Sequence, residues 1–335
     1  MTKLIESRES SNYHRCGRTD KGVSAFSQVI SITVRSRLPN KETGDVDTQV
    51  LDENHQEEIN YAQTLNRVLP LDIRVLAWSP AQEGFSARFD CTARTYKYFF
   101  PRANLNLDAM NEAAQHLVGE KDYRNLCKMD IGNGVVHFKR RILAVSLKQM
   151  ERDHEDSSPS GYEMCVATID GVAFLWHQIR AIMTVLLLVG EGKEEPDIVL
   201  KLLDVEAVKR KPQYGFASEI GLNLYDTNYE EVSWNYDEEN ISIVISQLQM
   251  MWAEHAMKSA MTRHMLDDLS MKLISDLQGE KVPQDQARLC NQDPRTKIYK
   301  PLLERPTCES LEERVKHFVK RRRLNPSVLE NVKKQ

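Results

Sequence analysis

The stretch AFLWHQIRAIMTVLLLVG, residues 173–190, is apolar on nearly every side when it is wound into a helix. A helix of this kind is buried, so the stretch predicts a helix laid against a sheet. Its polar members, His177, Gln178 and Arg180, then need partners inside the protein. No apolar run in the chain approaches the ~20 residues of a membrane-spanning helix, so no membrane association is predicted.

Strands are predicted on both sides of this helix, from the alternation of apolar and polar residues. They cover residues 28–36, 72–79, 95–100, 141–149, 162–170 and 221–226. In TYKYFF (95–100), the alternation puts Tyr96, Tyr98 and Phe100 on one face. Further helices are predicted at 57–69, 106–119 and 196–205. This order fits an α+β fold of two related halves that share one sheet, rather than a βαβ Rossmann arrangement.

Three successive segments follow from this pattern. They are a first half at 1–104, a second half at 105–231 and a helical, basic C-terminal extension at 232–335. In the extension, a methionine stripe with heptad-like spacing is typical of a core or of a surface that packs on a partner, rather than of a ligand site. The stripe consists of Met250, Met257, Met261 and Met265.

The tail, residues 315–328, is basic. It is either a nuclear address or an RNA-contacting patch, with a solvated surface run as the alternative. The nucleus is therefore the predicted compartment, with the cytoplasm as the second choice.

Several common kinds of site are excluded by their missing motifs. The six cysteines contain no CxxC pair, which argues against a zinc site or a disulfide framework and predicts packed, reduced thiols. The chain has no GxxxxGK[ST], HExxH or GxSxG motif. Its formal net charge of −4 means that any affinity for a polyanion must come from a local basic surface.

What remains is a carboxylate in a glycine-flanked turn, within CGRTDKGVSAFSQV at 16–29. Asp20 stands there between basic side chains. A lone aspartate in a turn is commonly only a cap or turn former. However, Arg180 on the buried helix needs an anionic partner, and Asp20 is one candidate.

Four motifs occur in the order found in one family. They are GRTDKGVSA (17–25), FSARFDCTARTYKY (85–98), AFLWHQIRAI (173–182) and SEIGLNLYD (218–226). Together they resemble the TruA-type tRNA pseudouridine synthases. The resemblance implies a pseudouridine synthase fold of two ferredoxin-like halves that share a mixed, mostly antiparallel sheet. The polar insertion at 41–58 and the C-terminal extension are similar to the eukaryotic branch, which modifies positions 38 and 39 of the tRNA anticodon stem-loop.

The resemblance also implies a chemistry for the turn. Pseudouridine formation detaches uracil from C1′, turns it and rejoins it through C5, without a metal or other cofactor. Asp20 would be the essential carboxylate, acting either by attack on C1′ or by removal of a ribose proton. Arg180 would keep this carboxylate charged in a dry pocket. Tyr96 would support the uracil by stacking, with its hydroxyl as a possible relay for the C5 proton, whereas Tyr98 is predicted to be core.

The implied partners are tRNA and a second copy of the chain, in a homodimer. Arg18 would bind the phosphate that swings when the target nucleotide leaves its stack. Weaker predictions for RNA backbone contacts, each of which could equally be a solvated charge, are Lys21, Arg88, Arg94, Lys139, Arg140 and Arg141.

The chain departs from the family pattern in two places. The nineteen residues before Asp20 do not resemble the family's YDGxxFxGxQ segment, so a first strand and helix are predicted to be missing and the first half truncated. Ser24 stands where the family usually has histidine. Two alternatives stay open, namely a catalytically weak RNA-binding or tRNA-folding protein of the same fold, and an interaction scaffold built on the methionine-rich helix.

Overall fold

A computed structural model describes residues 4–37, 58–150, 161–280, 282, 298–321 and 325. The chain divides into two compact units. The first unit contains Met1–Arg15, Ile30–Asp90 and Glu230–Val282, and the second contains Cys16–Val29, Cys91–Tyr229 and Pro283–Gln335. These units do not follow the predicted boundaries at 104 and 231, because segments that are distant in sequence fold together.

The second unit is built on a six-stranded sheet. Its strands are β2 (Ser24–Ala25), β5 (Cys91–Pro101), β6 (Gly119–Asp122), β7 (Lys139–Gln149), β8 (Met164–Gly171) and β9 (Leu222–Tyr229). They lie in the order β2-β9-β5-β8-β7-β6, and only the β2–β9 pair is parallel. The predicted α+β class with a mixed, mostly antiparallel sheet is therefore confirmed.

The central strand β5 shows why the alternation predicts the core. It pairs with β8 from Arg94 opposite Gly171 to Pro101 opposite Met164. Tyr98 and Phe100 are 4% and 1% exposed, and Tyr96 packs against the same cluster of buried side chains. The predicted face of this strand is thus the face that builds the core.

Helices contribute side chains to this core. They are α2 (Leu107–Gln115), α3 (Gln178–Gly190), α4 (Ile198–Leu203) and α6 (Leu311–Lys320). The predicted buried helix corresponds to α3, but it begins at Gln178, so 173–177 lie outside it. The reason is His177, whose φ of 56° is left-handed and interrupts a right-handed helix. Leu311 and Val315 of α6 are buried, so part of the predicted extension belongs to this unit.

The first unit has short strands and one long helix. Two strand pairs, β1 (His14–Arg15) with β3 (Ile30–Ser31) and β4 (Ala77–Trp78) with β10 (Asn235–Tyr236), are each two residues long. The predicted strand at 28–36 is thus regular only at β3. Beyond β3, the backbone stays bonded at single points, from Thr33 N–H to Ser11 O at 2.8 Å and from Arg35 N–H to Leu4 O at 2.8 Å.

The remaining elements of this unit are helices. Helix α1 spans Tyr61–Asn66, and α5 spans Glu238–Ser275 with Asp237 as its N-cap. The methionine stripe of α5 is 61–66% exposed, so its interpretation as core is wrong for this chain. Among the described helices, none combines the length and apolar character needed to cross a membrane.

Candidate active site

The carboxylate of Asp20 lies in the loop that leads into β2, in the second unit. It is held from both sides: Trp176 Nε1–H donates to Oδ1 at 3.0 Å, and His177 Nε2 lies 3.1 Å from Oδ2. The Asp20 side chain is still 25% exposed. The result is a partly sheltered side chain that solvent still reaches.

His177 is the N-cap of α3, and this place in the chain fixes the position of its ring. Its ring is 13% exposed, and within the described part of the chain Nδ1 is buried without a hydrogen-bond partner. Burial lowers the pKa of His177 below the usual 6.5; Asp20 opposes this shift, and the charges of Arg180 and Lys128 add to it. The group beside Asp20 at neutral pH is therefore a neutral imidazole.

The predicted contact between Arg180 and Asp20 is not what the structure shows. The Arg180 guanidinium pairs with Glu219, with Nη2 and Oε2 2.9 Å apart, and Nε–H donates to the Ala217 carbonyl at 2.7 Å. No ion pair joins Asp20 and Arg180, both of which lie in the described ranges. A guanidinium needs an acceptor, and Glu219 with the carbonyl beside it supplies one from the segment before β9.

Glu219 also borders the Asp20 loop. A Cβ added at Gly22 would lie 2.8 Å from Glu219 Cγ, and Gly22 has a φ of +84°. Only glycine combines that backbone conformation with so close an approach. The Asp20 loop thus rests on the acid that holds Arg180, so these two predicted residues are connected through Glu219.

Tyr96 lies beside the same loop. A Cβ added at Gly17 would lie 3.8 Å from the Tyr96 hydroxyl oxygen. The Tyr96 ring meets the edge of Phe174 at 5.1 Å and 86°. Burial raises the pKa of Tyr96 to about 12 although the charge of Arg94 opposes it, so the hydroxyl stays protonated. Tyr98 donates instead to Ser218 O at 2.8 Å from inside the core, as predicted.

Arg94 does not fit its predicted role in RNA contacts. It is 8% exposed, and its guanidinium donates to the carbonyls of Cys16 at 2.9 Å and Val172 at 2.6 Å. A side chain committed in this way serves the fold, because its donors are already occupied by buried acceptors.

The other predicted basic residues differ in exposure. Arg18 and Lys21 are exposed on the Asp20 loop, and Lys139 and Arg141 are exposed on β7. Arg140 is less exposed and donates to the carbonyls of His137 and Lys139 at 3.1 and 2.7 Å. Arg88 belongs to the first unit, where its guanidinium lies 5.1 Å from the Phe89 ring centroid.

Sequence reasoning missed three residues of this site, Trp176, His177 and Glu219. His177 is conspicuous as a polar residue in an apolar run, but that run does not show which group His177 meets. Trp176 and Glu219 carry no such signal. Among the described residues, no group of three or more histidine, cysteine, aspartate or glutamate side chains is arranged to hold a metal ion.

Comparison with known proteins identifies a family. Residues 113–230 match the profile of the family described as tRNA pseudouridine synthase. The chain is 44% identical to the tRNA pseudouridine(38/39) synthases of Mus musculus and Homo sapiens, over 96% of this chain and 70% of each relative. It is 43% identical to the Saccharomyces cerevisiae protein of the same name, over 69% of this chain and 50% of the yeast protein.

These similarities extend well beyond the four motifs quoted above, and they confirm the predicted pseudouridine synthase fold. The Asp20 loop and the Tyr96 strand lie together in the unit that contains most of the matched region. This chain is a member of the tRNA pseudouridine synthase family.

Proposed function

We propose that this chain converts uridine to pseudouridine at positions 38 and 39 of tRNA, in the anticodon stem-loop, as the names of its relatives indicate for them. The observation that carries the proposal is the Asp20 carboxylate, held by nitrogen atoms at both oxygens and still 25% exposed. Such a group is oriented and within reach of a ligand.

The reaction breaks the bond between C1′ and N1 and forms one between C1′ and C5. The C5 proton leaves, and N1 gains a proton, so the isomerisation balances without an external reductant or oxidant. Asp20 acts either by attack on C1′ or by removal of a ribose proton. Both routes use a charged carboxylate, and the neighbouring Trp176 Nε1–H donor stabilises that charge.

Tyr96 is proposed to support the uracil while it turns. An aromatic face tolerates in-plane rotation of a stacked base, and such stacking contributes roughly 1–3 kcal/mol. Because its pKa is about 12, the hydroxyl is a donor at neutral pH. The hydroxyl can accept the C5 proton only if it gives up its own proton to another acceptor.

RNA contacts are proposed for the exposed cations of the Asp20 loop. Arg18 stands two residues before Asp20, and Lys21 follows it directly. Phosphate contacts of this kind position RNA and weaken with salt. Arg180 is proposed to act on the site indirectly. It pairs with Glu219, and its charge lowers the pKa of His177.

A homodimer and a nuclear location belong to the same proposal. The methionine stripe of α5 leaves a long apolar surface exposed, and surfaces of this kind commonly pack on a partner. The basic run at 320–323 supports the nuclear assignment, although 322–323 lie outside the described residues. Measuring the mass of the purified chain in solution tests the dimer, and a monomer at micromolar concentration would contradict it.

Replacement of Asp20 by asparagine tests the proposed activity. The substitution Asp20→Asn preserves shape and removes the charge, so turnover of a tRNA anticodon stem-loop should disappear while binding persists. Glu120→Gln, at an exposed position of β6, is the matched control and should keep full turnover. Retained turnover in Asp20→Asn would contradict the catalytic role.

A further inference from the structure

We infer that Trp176 and His177 are positioning residues, which hold the Asp20 carboxylate in its reactive orientation. Trp176 binds Oδ1 and His177 binds Oδ2, so each oxygen is held by a different member of one dipeptide. The inference deepens the proposed function and rests on it.

The need for two contacts follows from the torsion that they control. The carboxylate of an aspartate rotates about its last bond in a broad, nearly two-fold potential, unlike the sharp wells of aliphatic torsions. A single hydrogen bond leaves that rotation loosely defined. The indole N–H 3.0 Å from Oδ1 and the imidazole Nε2 3.1 Å from Oδ2 restrict the plane of the group, while the side chain stays 25% exposed.

The two donors are themselves held in place. The His177 ring meets Phe216 edge to face at 4.8 Å and 78°. Lys128 N–H donates to the Trp176 carbonyl at 2.8 Å, and Lys128 Nζ lies 4.0 Å from the indole centroid. A donor that is fixed by its own neighbours transmits its position to the group that it binds.

The backbone of His177 supports the same conclusion. Its φ of 56° is unfavourable for a residue with a side chain, whereas glycine would adopt it without strain. Residues held in sparsely populated backbone regions persist where the surrounding structure fixes them, and they cluster at functional sites. Here, the left-handed residue ends the segment that carries Trp176 and starts α3, so that both rings face the Asp20 loop.

The geometry also identifies which His177 nitrogen carries the proton. Nε2 faces the Oδ2 acceptor, and Nδ1 is buried with no hydrogen-bond partner in the described ranges. A proton on Nδ1 would leave a buried donor unsatisfied. The charged groups that influence the ring are Asp20, Arg180 and Lys128. His177 is therefore a neutral donor through Nε2, rather than a proton shuttle.

Single-turnover kinetics with a tRNA anticodon stem-loop test the inference. Trp176→Phe keeps a ring and removes the N–H donor, and His177→Leu keeps bulk and removes the Nε2–H donor. Each variant should lower the single-turnover rate constant about tenfold or more, since small misplacements of a reacting group are costly. The dissociation constant for the RNA should change less than about twofold. His177→Gln, which retains an N–H donor at a similar reach, should recover most of the rate.

His177→Gly separates a positioning role from a role in shaping the turn. Glycine relaxes the φ of 56° and removes the donor, so it should be as slow as His177→Leu. Full activity of His177→Gly, or wild-type rates in both Trp176→Phe and His177→Leu, would overturn the inference. If Asp20→Asn also turned over, the catalytic role of Asp20 would fail, and if the unsubstituted chain showed no turnover, the proposed function itself would fail; both outcomes differ from those that overturn the inference.

An independent readout needs no catalysis. The indole N–H resonance of Trp176, assigned by its loss in Trp176→Phe, should shift in Asp20→Ala, because the acceptor of its hydrogen bond is removed. The nitrogen chemical shifts of His177 should show the Nε2–H tautomer at pH 7. An indole resonance that stays in place, or the opposite tautomer, would contradict the geometry in solution.

Discussion

Arg94 and Cys16 are joined by two hydrogen bonds, from Nε–H and Nη2–H of the guanidinium to the Cys16 carbonyl oxygen at 3.1 and 2.9 Å. A third, from Nη1–H, reaches the Val172 carbonyl at 2.6 Å. Cys16 precedes the Asp20 loop, and Val172 precedes the segment that carries Trp176 and His177. One buried side chain of β5 thus fixes both segments that build the site.

Arg94→Met should therefore destabilise the fold and slow the reaction. The substitution keeps the apolar stem but leaves buried carbonyls without donors, which costs about 2–4 kcal/mol in the free energy of unfolding. Urea denaturation measures this loss. Arg141→Met, at an exposed position of β7, is the control and should change the free energy by less than about 0.5 kcal/mol. Equal stability of the two variants would contradict the role assigned to Arg94.

Gly22→Ala should reduce turnover more than a backbone penalty alone explains. A side chain there has a φ of +84° and a Cβ 2.8 Å from Glu219 Cγ. Gly134→Ala is a matched control, because its φ is +81° and no atom lies within 4 Å of the added Cβ. The control should lose about 1 kcal/mol of stability from strain and keep its activity.

The additional loss of turnover in Gly22→Ala is expected to come from the clash of the new Cβ with the Glu219 side chain. Combining Gly22→Ala with Glu219→Ala should recover part of the lost activity, because the clashing side chain is gone. Double-mutant cycles in turnover and stability measure this coupling. Strict additivity would show that the loop does not rest on Glu219.

The pH dependence of stability should report the buried imidazole. The pKa of His177 in the folded chain is below the 6.5 of an ordinary histidine, so the unfolded chain binds this proton first as the pH falls. The contribution of His177 to stability is therefore lost on acidification below pH 6.5. His177→Gln should show a shallower decline between about pH 7 and pH 5 in urea denaturation. Parallel curves for the two proteins would refute this.

Two substitutions of Tyr96 should separate the contribution of its ring from that of its hydroxyl. Tyr96→Phe keeps the stacking surface, so the affinity for the RNA should hold while the turnover rate reports the hydroxyl. Tyr96→Leu removes the ring and should lose about tenfold or more in turnover, as expected for roughly 1–3 kcal/mol of stacking. Because the pKa of Tyr96 is about 12, its ionisation should not shape the pH–rate profile near pH 9. A Tyr96→Leu variant as active as wild type would exclude the stacking role.

Much of this molecule follows from local pattern. Alternation in β5 predicted the buried face of Tyr98 and Phe100, and a run that is apolar on nearly every side predicted the buried helix α3. Segments that have no long partner strand were predicted less well. The segment 28–36 alternates clearly, yet it forms a regular ladder only at Ile30–Ser31, because a strand needs a partner along its edge.

The sequence by itself determined the element types of the core, the family and the single carboxylate of the GRTDKG turn, because periodicity and ordered motifs are local properties of the chain. Only the tertiary structure decided which groups meet that carboxylate. A left-handed His177 ends the segment before α3 and brings Trp176 and His177 to Asp20, while Arg180 pairs with Glu219. Partners distant in sequence are selected by backbone geometry and by competition among buried polar groups, neither of which can be read from spacing.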